Sequence, residues 1–160
     1  MKKLEPINLV KEEVEKAISE GNEPYGAVIV NERGEVIASS HNYENSECDP
    51  TSHGEINAIR QACRKLKSKS LQNYSIYINY KPCPMCMSAI LMTGIKSITV
   101  GSACNPPETL YEEATEKVKN ADIKFCSGVD AEECSNQVLR GRQILSEIKG
   151  YNSGHKNGIF

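Results

Sequence analysis

The stretch "SIYINYKPCPMCMSAILMTGIKSITVG", Ser75 to Gly101, decides the architecture. Ser75–Tyr80 alternates and is rich in β-formers, so it predicts a strand. "PMCMSAILMTG" is apolar nearly all round, which predicts a short buried helix. "KSITVG" (96–101) predicts a second strand. Strand, helix and strand in 27 residues imply a parallel pair with a helix packed on one face.

Working outward, "YGAVIV" (25–30) is a continuous apolar run, as expected of a strand buried on both faces. "NERGE" turns the chain, and "VIASS" (36–40) reads as an antiparallel partner. A first helix is predicted over 6–19, where Ile7, Val10, Val14 and Ile18 recur at helical spacing. Another begins near Ser52, with Ile56, Ile59, Cys63 and Leu66 on one stripe. The cations at Arg60, Arg64, Lys65, Lys67 and Lys69 suit its carboxyl end. Downstream, 106–120 predicts a helix opened by prolines, "DIKFC" (122–126) a last strand, and 131–148 a final helix. The expectation is an α/β chain: a three-layer α/β/α fold with a mixed central sheet of about five strands. Residues 1–150 are expected to form one domain and 151–160 a tail.

The chain has 160 residues, 19 basic against 21 acidic, for a net charge of −2. That balance gives no general pull toward nucleic acid or an anionic membrane. The amino-terminal segment lacks an apolar run, and no stretch approaches membrane-spanning length, so a cytoplasmic location is expected. Seven cysteines without a secretory signature argue against a disulfide framework.

Cys83 and Cys86 form the one C-x-x-C. A redox pair would sit in a different order of elements, and a structural zinc knuckle would want a second such pair. A catalytic zinc site needs three protein ligands and one open position. Of the three histidines, His53 stands at a predicted helix start, two residues before Glu55, while His41 precedes a loop and His155 lies in the tail. Both helix starts would meet at the carboxyl ends of the strands if two adjacent parallel strands fed them. Glu55 has a structural alternative, a capping box with Ser52 as N-cap.

H-x-E followed by P-C-x-x-C is similar to the signature of zinc deaminases. With "HN…DPTSHGEINAIR…PCPMC…AI", the chain resembles the cytidine/nucleobase deaminase superfamily, in the branch of guanine, nucleoside and tRNA adenosine deaminases. The resemblance implies one zinc ion (Zn2+) per chain on His53, Cys83 and Cys86, and hydrolytic deamination with Glu55 shuttling protons. It implies a base contact from Asn42; Tyr25 and Pro82 are candidate contacts beside it. Tyr151 and Phe160 are candidates for closing the pocket and His155 for contacting substrate, and Cys48 and Cys104 lie on loops that could border it. Guanine is the leading substrate, cytosine the next and adenosine in tRNA the third. A small nucleobase or nucleoside is thus the expected partner, with no membrane, and a homodimer is expected from the resemblance alone. Lys81 and "VGSACNPPETL" depart from the pattern. The non-enzyme alternative is a deaminase-like zinc-binding module.

Overall fold

The computed structural model describes residues 5–104 and 122–148. The elements are α1 (Pro6–Ser19), β1 (Gly26–Val30), β2 (Val36–His41), α2 (Glu44–Glu47), α3 (Gly54–Leu66), β3 (Ser75–Ile78), α4 (Pro84–Thr93), β4 (Ser97–Val100), β5 (Lys124–Cys126) and α5 (Ala131–Glu147). The helix expected over 106–120 lies outside the described residues.

The strands form one mixed sheet in the order β2-β1-β3-β4-β5. β1 is antiparallel to both β2 and β3, whereas β3–β4 and β4–β5 are parallel. The predicted α/β/α fold is borne out. The apolar run of β1 is buried at every position because each face carries a helical layer. Ala27 and Ile29 join Ala58 and Ala62 of α3 and Met87 and Ile90 of α4. Val28 and Val30 pack instead against Val10, Val14 and Ile18 of α1. α5 packs on α1. Period-two alternation therefore divides one hydrophobic strand between two cores.

One expectation is corrected. α3 follows β2 and α4 follows β3, and these two strands run the same way but are not adjacent, because β1 lies between them. Both carboxyl ends still face one edge of the sheet. The intervening gap is narrow because of glycine: a Cβ on Gly54 would stand 3.2 Å from both the Gly26 Cα and the Tyr25 carbonyl oxygen. The start of α3 thus rests on the start of β1, which a larger residue would prevent. Among the described residues, no helix is long and apolar enough to cross a membrane.

Candidate metal centre and active site

β3 ends at Ile78 because the next side chain takes over its pairing. Asn79 Oδ1 accepts from the Gly26 amide at 3.0 Å, and its Nδ2 donates to the Pro24 carbonyl at 2.9 Å. The chain then leaves the sheet through Tyr80, Lys81 and buried Pro82 into α4. Cys83 is the N-cap of that helix, in extended conformation, and its Sγ accepts from the Cys86 amide at 3.4 Å. Pro84 at the first helical position needs no partner for an N–H it lacks. An N-cap and the N3 residue lie on one face, so both sulfurs are presented together.

His53 plays the same part for α3. It is the N-cap, extended at φ −73° and ψ 153°, with Glu55 in the first turn. The capping box built on Ser52 does not form: Ser52 Oγ instead donates to Glu47 at 2.8 Å. The extended backbone at His53 resolves the spacing problem of H-x-E, since a residue before the helix is free of its 3.6-residue period.

His53 Nδ1 lies 3.6 Å from Cys83 Sγ and 3.5 Å from Cys86 Sγ, and the three ligand atoms fall within 4.8 Å of one another. Tetrahedral zinc with Zn–S of about 2.3 Å and Zn–N of about 2.0 Å implies N···S edges of about 3.5 Å. The donor set and its spacing therefore fit zinc. The charges agree. The hydrogen bond from Cys86 and the nearby imidazole, working against burial, bring Cys83 down to about 4, in the thiolate range. Cys86 moves the opposite way, because its thiol bonds to that thiolate and is buried. At His53 burial favours the neutral ring, but Cys83 and Glu44 outweigh it and hold the imidazole at about 10.

Glu55 is 7 % exposed, and burial pushes its carboxyl up to about 7. Its side chain interacts with Cys86, so a carboxyl group able to hold or release a proton near neutrality borders the trio.

Asn42 is fully buried after β2, and its amide bonds to Glu44 through both heavy atoms. One N–H and one lone pair remain for a further partner. Asn57 Nδ2, donating to the His41 carbonyl at 3.0 Å and to Ser52 at 3.2 Å, ties this loop to α3. Tyr25 reaches the same region: its carbonyl accepts from the Asn42 backbone N–H at 2.9 Å. Extending the β1–β3 register by two residues sets Tyr25 opposite Tyr80, and their rings are 5.9 Å apart. Arg142 of α5 lies over both rings, 5.9 Å and 5.6 Å from their centres, and donates to the Tyr25 hydroxyl at 2.5 Å. Burial raises that hydroxyl to about 12, so it stays protonated.

Tyr151, His155 and Phe160 lie outside the described residues. Cys48 is exposed on the loop after α2, and Cys104 is half-buried near Lys81. The structure adds Glu44 and Arg142, neither of which was predicted as a site residue. Glu44 had a local signal, standing two residues after Asn42 where an Asn side chain closes a turn. Arg142 had none, since its neighbours Tyr25 and Tyr80 flank β1 and β3, more than sixty residues upstream.

A tRNA-specific adenosine deaminase of Bacillus subtilis is 32% identical over 131 residues, 79% of this chain and 80% of that protein. One of Aquifex aeolicus is 37% identical over 92 residues, 58% of this chain and 60% of that protein. The guanine deaminase of B. subtilis is 41% identical over 75 residues, 47% of each chain. A solved structure from studies of A-to-I editing by tRNA:A34 deaminases superposes with a TM-score of 0.72 at 28% identity, covering 82% of this chain and 97% of that one. The MafB19-like deaminase family matches residues 1–140, and the chain therefore belongs to that family of deaminases.

Proposed function

We propose that this chain is a zinc-dependent hydrolytic deaminase of a purine base, and that adenosine within a transfer RNA is its first substrate. The observation that carries the reaction is the trio His53, Cys83 and Cys86 with the buried carboxyl of Glu55 beside it. Zinc held there supplies Lewis acidity, making water nucleophilic near pH 7. Glu55 does the proton work. It accepts a proton from water as the water oxygen bonds to the amine-bearing ring carbon, and it returns that proton to the adjacent ring nitrogen. It then carries a second proton from the new hydroxyl to the amino group. The C–N bond breaks, ammonia leaves, and the ring keeps a carbonyl. Water is the sole co-reactant, and no electrons change hands.

Two observations favour an RNA-borne adenine. The tRNA deaminase of B. subtilis aligns along 79% of this chain, against 47% for the guanine deaminase. The Arg142–Tyr25–Tyr80 stack also offers aromatic faces and a cation beside the site, the combination that holds unstacked bases and their phosphates. Free guanine is the second reading, favoured by the 41% identity to its deaminase. The test is ammonia release from a tRNA anticodon stem-loop, guanine, adenine, cytosine and their nucleosides, with zinc-loaded protein. Turnover of the stem-loop alone supports the proposal. Turnover of free guanine alone replaces the first substrate with the second. Silence on every member with zinc bound contradicts the proposed activity.

A further inference from the structure

Glu44 opens α2, a single turn between β2 and α3. Its amide donates to Asn42 Oδ1 at 2.9 Å, and its Oε2 accepts from Asn42 Nδ2. The same Oε2 stands 3.6 Å from His53 Nε2. The carboxylate and the imidazole are 15% and 14% exposed, so little water screens them. The imidazole is thus spanned, its Nδ1 facing two sulfurs and its Nε2 facing a carboxylate. At 3.6 Å the contact is longer than a hydrogen bond by a few tenths of an ångström.

A neutral imidazole carries one N–H and one lone pair. In the neutral ring that a metal takes, a carboxylate at Nε2 fixes the proton on that nitrogen and leaves the Nδ1 lone pair directed at the sulfurs. It also makes the ring a stronger donor to a metal. The amide of Asn42 is oriented by the same group, since an acceptor at Nδ2 and a donor at Oδ1 leave it one way round.

We propose that Glu44 is a positioning residue of this site, a single carboxylate that orients the His53 imidazole toward a metal ion and the Asn42 amide toward substrate. The inference rests on the reading that His53, Cys83 and Cys86 hold zinc. Metal site and substrate contact are then coupled through one side chain, and its loss weakens both. A residue that only stabilised the loop would change thermal unfolding and leave both untouched.

The test is zinc affinity, measured by competition with a chromophoric chelator, for the wild type, Glu44→Gln and Glu44→Ala. Glu44→Gln keeps the shape and one acceptor oxygen and removes the charge, so it carries the test should Glu44→Ala fail to fold. Zinc affinity is expected to fall about 10- to 100-fold in Glu44→Ala and by less in Glu44→Gln. With the substrate that turns over in the panel above, KM is expected to rise, and Asn42→Ala combined with Glu44→Ala should raise it no further than Asn42→Ala alone. Zinc affinity within twofold of wild type in variants that unfold normally overturns the inference while leaving the zinc site standing. A wild type that binds no zinc overturns the site reading, and the inference with it.

Discussion

His41 ends β2 and His53 caps α3; both are largely buried and both face carboxylates, yet their surroundings assign them different work. His41 is 3% exposed, and its Nδ1 and Nε2 contact Glu13 at 2.6 Å and Glu20 at 2.8 Å. Glu13 lies in α1 and Glu20 caps its carboxyl end, and the Tyr43 ring lies 4.3 Å away. Both nitrogens are therefore committed to anions, and no lone pair is left for a ligand. One ring nitrogen of His53 faces the Glu44 carboxylate, and the other faces two thiols. A histidine with two carboxylates is a brace between a helix and a strand. A histidine with one carboxylate and two thiols is a candidate metal ligand.

The largest effect should come from the proton carrier. Glu55→Gln is expected to lower kcat by about 10²- to 10⁴-fold while zinc content holds, checked by ammonia release against metal analysis. Undiminished turnover would remove Glu55 from the chemistry. His41→Ala should act on the other side of the comparison. It strips Glu13 Oε2 of its His41 contact while Lys16 and Ser39 still hold Oε1, at a cost of about 1–3 kcal/mol in urea unfolding, with zinc affinity unchanged. A loss of zinc in that variant would break the distinction between the two histidines.

The brace also predicts a pH window. At His41 burial favours the neutral ring, but the hydrogen bonds to Glu13 and Glu20 outweigh it and hold the imidazolium above its usual range. Its contribution is complete below the unfolded value of about 6.5 and is lost as pH rises through the folded value. For Glu13, burial is outweighed by hydrogen bonds from His41, Lys16 and Ser39, which hold it at about 2. That contribution is complete above the unfolded value of about 4.3 and fades as pH falls toward about 2. The part of stability due to this brace should therefore peak between about pH 4.5 and 6.5. His41→Ala should flatten the alkaline side of that profile. An unchanged profile would show that the brace is not what titrates.

Two arginines of α5 give the smallest effects and sharpen the same lesson. Arg140 pairs with Glu15 at a site where both are about half exposed, so Arg140→Ala should cost less than about 1 kcal/mol and leave kinetics alone. Arg142→Ala should raise KM for RNA several-fold at nearly constant kcat, in keeping with about 1 kcal/mol for an exposed cation over aromatic rings. Equal kinetics for the two variants would deny the stack a part in binding.

Periodicity read the layers well because each signal was local. The stripe Ile7, Val10, Val14, Ile18 marked α1 to its ends, and the unbroken run of β1 announced two covered faces. The spacing of Cys83 and Cys86 and the pairing of His53 with Glu55 were equally local. Strand order was not, because nothing in β1 says that it will separate β2 from β3. Glu44 offered only its turn spacing from Asn42, because a one-turn helix in a polar loop leaves no apolar stripe. Arg142 hid on an amphipathic helix, where a cation reads as solvent-facing until Tyr25 and Tyr80 arrive from elsewhere in the chain.

The most direct measurement is zinc stoichiometry by native mass spectrometry on the wild type, His53→Ala and His41→Ala, each purified alike. The account predicts one zinc per chain in the wild type and in His41→Ala, and none retained in His53→Ala. A wild type without zinc, or equal zinc in both histidine variants, would contradict it.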